Sequence, residues 1–319
     1  MNLQNLHEAP FALVFPGQGS QAVGMGKDLY DTSDIARSVF DQADQLLGAS
    51  LTGICFDGPA ETLEDTFNAQ PALLTMSIAA LADLHTRADA QGVTLAPVVT
   101  AGHSLGEFTA LVAANAISFA DALLLVRERG RLMKEVGSER PGGMAAVIGM
   151  DDDALVEVVE EAGSEGIIRV ANANCPGQTV ISGEIPALEL AMELAKARGA
   201  RRVARLGVSI ASHSPLMEDA SHQLVEHLDS VEFRDPHIPI VGNVSARSIA
   251  SVEGIREELA HHMERPVNWT GSVREMIDMG ASIFVELGPG NVLSGLIRRI
   301  DRDVATASLK DLLPQPGQR

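Results

Sequence analysis

Short apolar runs alternate with stretches of helical periodicity from residue 11 to residue 139, and this alternation constrains the fold more than any other feature. The runs FALVF at 11–15 and APVVTA at 96–101 have the length and composition of buried strands, and a helical pattern follows each of them. Strands that alternate with helices in this way pair in parallel, because each helix carries the chain back across the sheet. The pattern therefore predicts an α/β fold with a parallel sheet wrapped by helices.

Residues 140–208 follow a different order. A strand, a helix, two strands, a helix and a final strand succeed one another, and this βαββαβ order is the pattern of a ferredoxin-like unit. Beyond it, the runs IPIVGNV and SIFVELGPG return to α/β character. We therefore expect a large α/β subdomain built from 1–139 and 209–319, with a small ferredoxin-like subdomain of residues 140–208 inserted into it.

Composition and charge exclude several classes of protein. With 319 residues, 45% of them hydrophobic, the chain can fill a sizeable core. Its formal net charge of −19 argues against nucleic acid as the main partner, because phosphate binding needs a basic face. Its 2 cysteines, Cys55 and Cys175, lie far apart without metal-type spacing, which favours a reducing compartment and no metal site.

The chain ends and the surface add further expectations. The first residues lack the basic and apolar regions of a secretion signal, and no apolar run has the length needed to cross a bilayer. We therefore expect a cytoplasmic protein that does not bind membranes. The acidic, unpatterned surface favours a monomer, and the polar end PQPGQR at 314–319 is expected to be frayed.

The pentapeptide GHSLG at 102–106 lies between an apolar run and a helical pattern. It matches G-x-S-x-G, the nucleophile elbow, in which glycines permit a tight turn that exposes the serine hydroxyl. The helix that follows points its N-terminal amides at the site. Ser104 is therefore a predicted nucleophile, and a glycine-rich turn with a capping serine is the alternative.

A second glycine-bearing turn, FPGQGSQ at 15–21, follows the first strand. Its glycines fit a dinucleotide-binding loop, but the acidic residue that should close a second strand is missing, because the nearest candidates lie in a helical pattern. Another use fits better. The backbone amide of Gln18 and that of Leu105 together could stabilise an oxyanion beside Ser104, with a plain tight turn as the alternative.

Arg129 falls inside the apolar stripe of the helical pattern at 120–136, whereas Arg127 and Arg131 fall outside it. A guanidinium on the core side needs an anionic partner, because an unpaired buried charge is costly. Two partners fit at this point: an internal Asp or Glu, or a substrate carboxylate held in bidentate fashion.

His213 is the candidate base among nine histidines. It directly precedes a predicted helix start, with Ser214 as N-cap and Pro215 in the first position. The positive end of that helix would disfavour an imidazolium, so a neutral His213 could take the proton of Ser104. The adjacent His261 and His262 would diverge on a helix, which speaks against a metal site, and the other histidines are interpreted as surface or structural residues.

Taken together, these motifs resemble the malonyl-CoA:acyl carrier protein transacylases of bacterial fatty acid synthesis. Further family motifs, QPALL, GGMAA, NANCPGQ, PVNW and GPGNVL, occur in the family's order between about residue 11 and about residue 310. The resemblance implies an α/β-hydrolase-like large subdomain with the ferredoxin-like insertion. It also implies that Ser104 is the nucleophile, His213 the base and Arg129 the clamp for the malonyl carboxylate, while the amides of Gln18 and Leu105 form the oxyanion hole.

The resemblance assigns four more residues to the surroundings of the site. His103, Met133 and Asn174 match positions that line the family's pocket. His262 stands where many relatives have glutamine, and the family uses the backbone carbonyl of that residue to orient the catalytic histidine. Because a backbone acceptor survives the change, we expect His262 to keep this role, and the third member of the triad is then not a carboxylate.

The predicted function is transfer of a malonyl group from coenzyme A to the phosphopantetheine thiol of an acyl carrier protein through a malonyl-serine intermediate, without a bound cofactor. The alternatives are a polyketide-type acyltransferase specific for malonyl or methylmalonyl groups, a serine acyl-CoA hydrolase, and a non-catalytic subunit of a synthase. Carrier proteins in these systems are acidic, so docking needs a local basic patch. The candidates are Arg198, Arg201, Arg202 and Arg205, or else Arg131, Lys134 and Arg140.

Overall fold

The computed structural model describes residues 3–312, so the polar end at 314–319 lies outside the described residues. Within 3–312 the strands are β1 (Phe11–Phe15), β2 (Val99–Gly102), β3 (Gly142–Ile148), β4 (Ile168–Cys175), β5 (Gln178–Glu184), β6 (Arg202–Arg205), β7 (Ile240–Val241), β8 (Ser248–Ile249), β9 (Ile283–Glu286) and β10 (Ala305–Ser308).

The helices before β3 are α1 (Leu3–Glu8), α2 (Lys27–Thr32), α3 (Asp34–Leu47), α4 (Leu51–Asp57), α5 (Ala60–Glu64), α6 (Thr66–Ala90), α7 (Gly106–Ala113) and α8 (Phe119–Glu139). The later ones are α9 (Asp152–Ala162), α10 (Ile185–Ala197), α11 (Glu218–Leu228), α12 (Val252–Ala260), α13 (Trp269–Asp278), α14 (Val292–Ile300) and α15 (Leu309–Leu312), with 3₁₀ turns at Gly163–Glu165 and Pro215–Met217. None of the helices within 3–312 combines the length and apolar character that crossing a membrane would require.

The larger sheet has six strands in the order β10-β9-β1-β2-β7-β8. Its first five strands pair in parallel, and β8 joins the edge antiparallel to β7. All five residues of β1 are buried, as expected of a strand covered by helices on both faces. The predicted α/β class with a parallel sheet is confirmed.

The smaller sheet is antiparallel, with the order β4-β5-β3-β6, and α9 and α10 connect its strands. The elements succeed one another in the βαββαβ order that the sequence predicts. The limits at 140 and 208 stay a prediction, and we propose them because α8 ends at Glu139 and β6 ends at Arg205. Backbone hydrogen bonds between β4 and Val267 join this sheet to the larger unit.

Helices α6 and α8 pack side by side next to the larger sheet and carry side chains toward its carboxyl edge. Pro71 lies inside α6 and has no N–H to donate to the carbonyl of Phe67. Arg127 on α8 supplies the missing donor, with its Nη1 2.9 Å from that oxygen. Gly130 lets the two backbones approach, since an added Cβ would lie 2.6 Å from the carbonyl oxygen of Thr66. The position of α8 on α6 is thereby fixed.

The turn between β2 and α7 is held against β1 by backbone contacts. The amide of His103 donates to the carbonyl of Phe15 at 3.0 Å, and an added Cβ at Gly106 would lie 2.0 Å from that carbonyl oxygen. At Gly102 an added Cβ would lie 1.8 Å from the carbonyl carbon of Gly106. Only glycine fits at both positions, so this turn can close only with the two glycines of GHSLG.

Replacing Gly106 by alanine tests this contact. Backbone atoms surround the added Cβ, so no flexible side chain can move aside. We expect Gly106→Ala to lower the free energy of unfolding by about 3 kcal/mol in urea denaturation. Gly295→Ala on α14 is the matched control: nothing lies within 4 Å of its added Cβ, so it should raise stability by up to about 1 kcal/mol. Equal effects of the two substitutions would contradict the described packing.

Candidate active site

The structure brings Ser104 and His213 together at the carboxyl edge of the larger sheet. Oγ of Ser104 lies 2.9 Å from Nε2 of His213, a residue 109 positions later in the chain. Both have left-handed backbone conformations, with φ of 49° at Ser104 and 57° at His213. Residues other than glycine keep this conformation only where their surroundings enforce it, and such strain concentrates at functional sites. The pair has the geometry of a nucleophile and its base.

A backbone carbonyl faces the other ring nitrogen of His213. The oxygen of Arg265 lies 3.1 Å from Nδ1, which assigns the ring proton to Nδ1 and leaves Nε2 free to accept from Ser104. The prediction that His262 supplies this carbonyl was wrong. The chain turns tightly here, with the amide of Arg265 donating to the carbonyl of His261, and this turn presents Arg265 to the histidine instead.

Burial keeps His213 neutral. It lowers the pKa of His213 well below the ordinary value of 6.5, and the neighbouring His262 and Arg129 lower it further. The sequence suggests a helix starting at Pro215 as the cause, but Pro215–Met217 is a 3₁₀ turn and α11 begins only at Glu218. A neutral imidazole at this position can accept the serine proton at neutral pH.

Arg129 reaches from α8 to Ser104 and is only 1% exposed. Its Nη1 donates to Oε1 of Gln70 at 2.8 Å, and its Nη2 donates to Oγ of Ser104 at 3.2 Å. Nη2 also faces Nδ1 of His262 at 3.4 Å, while Nε has no hydrogen-bond partner within residues 3–312. Although burial lowers the pKa of Arg129 to about 10, the guanidinium stays positively charged at neutral pH.

The charge of Glu107 raises the pKa of Arg129, but the two side chains form no ion pair. Within the described residues no Asp or Glu oxygen lies within 4.0 Å of the guanidinium. Burial raises the pKa of Glu107 to about 8, while the amide of Asn243 and the charge of Arg129 act in the opposite direction. His262 stands between them, with Nε2 3.5 Å from Oε2 of Glu107. Arg129 therefore lacks a directly paired carboxylate and lines the cleft in front of Ser104.

Two backbone amides, those of Gln18 and Leu105, belong to the turns around Ser104; Gln18 lines the cleft, whereas Leu105 is buried and does not. Within residues 3–312, neither the N–H of Gln18 nor that of Leu105 has an acceptor. The side chain of Gln18 is fixed, because its Oε1 accepts from the hydroxyl of Thr66 at 2.8 Å, and Thr66 in turn accepts from Gln70 at 2.9 Å. The turn at Gln18 and the guanidinium contact of Gln70 thus belong to one hydrogen-bonded chain.

A cleft of about 450 Å³ opens over these groups, and the predicted pocket residues His103, Met133 and Asn174 line it. His103 is held by Asn174, with Nε2 2.8 Å from Oδ1. Met133 contacts Gln70, whose Nε2 lies 3.3 Å from the sulfur. His262 does not line the cleft and is completely buried behind Arg129. In the part of the chain that the structure describes, no group of His, Cys, Asp and Glu is arranged to hold a metal ion.

Sequence reasoning missed three residues that hold the site together. Gln70 begins the motif QPALL, Glu107 directly follows GHSLG and Asn243 lies in the strand-like run IPIVGNV, but these patterns predict no role for any of the three. Asn243 follows β7 at the same sheet edge as Ser104, and its Oδ1 accepts from the amide of Ser104 at 2.6 Å. The usable signal was a polar residue directly after a buried strand, because the carboxyl ends of parallel strands meet at one edge.

Comparison with known proteins identifies the family. The acyl transferase domain model matches residues 12–318. The malonyl CoA-acyl carrier protein transacylase of Bacillus subtilis is 46% identical over 301 residues, which cover 94% of this chain and 93% of that protein. The crystal structure of malonyl-CoA:acyl carrier protein transacylase from Xanthomonas oryzae pv. oryzae has a TM-score of 0.89 and 41% identity, with 94% of each chain covered. A malonyl-transacylase in complex with a type II polyketide synthase acyl-carrier protein has a TM-score of 0.90 and 40% identity, covering 95% of this chain and 96% of that one. The resemblance inferred from the motifs is confirmed.

The lowered pKa of His213 predicts how labelling of Ser104 by a serine-directed sulfonyl fluoride varies with pH. Because Nε2 stays unprotonated well below the ordinary pKa of 6.5, the labelling rate should stay flat from about pH 8 to about pH 6 and fall only in more acidic solution. Intact-mass time courses measure this rate, and His213→Gln is the control that lacks the base. Half-maximal loss near pH 6.5 would contradict a depressed pKa.

Proposed function

The chain belongs to the acyl transferase domain family, and we propose that it transfers a malonyl group from coenzyme A to the phosphopantetheine thiol of an acyl carrier protein, supplying fatty acid synthesis. The observation that carries this proposal is the charge of Arg129. Its buried guanidinium contacts the nucleophile and has no directly paired carboxylate among residues 3–312. A malonyl group brings a carboxylate to that position, which a simple ester or an acetyl group does not.

The first half-reaction loads Ser104. Nε2 of His213 takes the hydroxyl proton as Oγ attacks the thioester carbonyl, and the amides of Gln18 and Leu105 donate hydrogen bonds to the oxyanion that forms. Collapse of this intermediate breaks the carbon–sulfur bond, and the coenzyme A sulfur leaves with the proton that His213 had taken. The product is a malonyl ester of Ser104.

The second half-reaction repeats these steps with a new nucleophile. The phosphopantetheine thiol gives its proton to His213 and attacks the ester carbonyl, and the same two amides stabilise the oxyanion. The bond to Oγ breaks, and Ser104 recovers its proton from His213. The malonyl thioester of the carrier protein is released, and the enzyme returns to its starting state.

Arg129 explains both selection and alignment of the acyl group. In a malonyl thioester a single methylene separates the carboxylate from the reacting carbonyl. Nη2 of Arg129 lies 3.2 Å from Oγ of Ser104, so a carboxylate bound to the guanidinium brings the thioester carbonyl beside the nucleophile. An acyl group without a carboxylate gains no ionic contact with this buried charge, so its transition state should be less stable by about 3 kcal/mol, or roughly 100-fold in rate.

An acidic carrier protein needs a basic surface to bind to, although this chain as a whole carries a net charge of −19. Among the predicted basic candidates, Arg131, Lys134, Arg140, Arg198 and Arg205 are already paired with acidic side chains. Arg201 and Arg202 are exposed at the start of β6 and form no ion pair within the described residues. We therefore propose these two arginines as the contact for the acidic carrier protein.

The setting of the reaction follows from its substrates. Coenzyme A and the phosphopantetheine arm enter as substrates, and no bound cofactor takes part. We propose that the protein acts in the cytoplasm, where carrier protein and coenzyme A occur together, without binding membranes. We propose a monomer because the large exposed hydrophobic side chains, such as Val23, Leu124 and Val292, lie on separate elements.

Intact-mass measurement after brief exposure to malonyl-CoA, methylmalonyl-CoA or acetyl-CoA tests the function. We expect one malonyl group on the wild-type protein, because Arg129 selects a carboxylate, and none on Ser104→Ala. Holo carrier protein should release this group faster than water does. Release by water at the same rate would favour an acyl-CoA hydrolase, methylmalonyl loading would favour a polyketide-type enzyme, and absence of any adduct would indicate a non-catalytic subunit.

Arg129→Ala tests the clamp. Removing the guanidinium should lower the ratio of kcat/KM for malonyl-CoA to that for acetyl-CoA about 100-fold, because only the malonyl group loses an ionic partner. The matched control is Arg131→Ala on the same helix, an exposed arginine paired with Glu128 and Glu135, which should leave the ratio unchanged. If the malonyl preference survived in Arg129→Ala, Arg129 would not be the clamp.

A further inference from the structure

Asn243 bonds to the backbone on both sides of the elbow at Ser104. Its Oδ1 accepts from the amide of Ser104 at 2.6 Å, and its Nδ2 donates to the carbonyl of Gly102 at 2.6 Å. These are the shortest contacts that hold the elbow from outside its own segment, and they reach across 139 and 141 positions of sequence. The side chain is 1% exposed, so water does not compete for these bonds.

The loop that carries Asn243 is itself held by two buried carboxyl groups. The amide of Asn243 donates to Oε2 of Glu107 at 3.0 Å, and the carboxyl group of Glu258 accepts from the next two amides, at 2.5 Å for Val244 and 3.2 Å for Ser245. The carbonyl of Asn243 accepts from the amide of Asn268 at 2.8 Å. Its position is therefore fixed by partners on three other segments before it contacts the elbow.

The elbow needs an external restraint of this kind. With φ of 49°, Ser104 has a conformation that costs a residue with a Cβ about 1–3 kcal/mol. If the two bonds to Asn243 were lost, the peptide group between His103 and Ser104 could rotate toward an unstrained arrangement, because only the peptide group before it stays bonded, through the amide of His103, to Phe15. That rotation would move Oγ away from His213 and turn the amide of Leu105, which follows Ser104 directly.

We propose that Asn243 is a positioning residue that locks the strained backbone of Ser104 and thereby aims both the nucleophile and the oxyanion donor of Leu105. It does not touch the substrate and acts only through the elbow. The inference rests on the proposed function for its transfer readout, but labelling of Ser104 by a sulfonyl fluoride measures the same positioning independently of that function.

Asn243→Ala removes both bonds. We expect the maximal rate of malonyl-Ser104 formation in single-turnover experiments to fall about 100-fold, as for a nucleophile misplaced by about 1 Å, and sulfonyl fluoride labelling to slow in parallel. The malonyl-CoA concentration for half-maximal rate should not change, since the contact of Arg129 with Gln70 does not involve the elbow. Ser50→Ala is the control: it removes an exposed helix cap on α4, whose bond to the amide of Gly53 takes no part in holding Asn243 or the elbow, so both rates should stay at the wild-type value.

Asn243→Asp distinguishes positioning from a general loss of stability. The protonated acid has one O–H to donate to Gly102 and one oxygen to accept from Ser104, whereas the ionised form presents an acceptor to a carbonyl. The variant should therefore regain labelling as pH falls from about 8 to about 5, because burial raises the pKa of an Asp. The charged and titratable groups around the loop are Glu107, Glu258, His262, Arg129 and His213. The wild type carries the same groups, so its labelling rate at each pH is the baseline for the variant.

The outcomes separate the two proposals. Wild-type rates in Asn243→Ala, an equal loss in Ser50→Ala, or an Asn243→Asp variant that stays slow at every pH would each overturn the role of Asn243. If the wild type forms no malonyl-Ser104 but labelling slows in Asn243→Ala and recovers with pH in Asn243→Asp, the proposed function fails and the positioning role stands. If Asn243→Ala does not fold, the pH dependence of Asn243→Asp decides.

Discussion

A positive charge buried beside the nucleophile sets the arrangement of the whole site. Among the residues that the structure describes, Arg129 has no direct ion pair, so the cost of its burial must be offset by neutral acceptors: the amide oxygen of Gln70, the hydroxyl of Ser104 and a ring nitrogen of His262. The same charge lowers the pKa of His213, which adds to the effect of burial and keeps the base unprotonated. One guanidinium thus lowers the pKa of His213 and, under the proposed function, selects the substrate.

The backbone of the elbow imposes the second constraint, and it is steric rather than electrostatic. The turn can close only because Gly102 and Gly106 lack side chains: a Cβ at Gly102 would meet the backbone of Gly106, and a Cβ at Gly106 would meet that of Phe15. Closing the turn forces Ser104 into a left-handed conformation, and Asn243 holds it there from a loop across the sheet. Strain in the nucleophile is therefore maintained by contacts from strands on both sides of β2.

The sequence predicts those parts of this arrangement whose signals are local. Alternating periodicities predict the sheet and its helices, the glycines around Ser104 mark the elbow, and Arg129 is conspicuous because a charge interrupts an apolar stripe. Local sequence signals do not predict the supporting contacts, because Gln70 and Asn243 bond to partners 59 and 139 positions away. The prediction of which carbonyl orients His213 was wrong for a similar reason. The path of the turn after His261 decides which carbonyl faces the ring of His213.

The protonation of Glu107 shows why a carboxyl group so close to Arg129 does not satisfy it. Burial raises the pKa of Glu107 to about 8, so much of this group carries a proton at neutral pH and brings no full negative charge to the guanidinium. Its Oε2 accepts from the amide of Asn243 and so helps to hold the loop that contacts the elbow, while His262 separates Glu107 from Arg129. Had an ionised carboxylate stood in direct contact with Arg129, a malonyl carboxylate would have to displace it, and binding would gain little. The positive charge of Arg129 thus stays available to the malonyl carboxylate of the proposed function, because burial raises the pKa of Glu107.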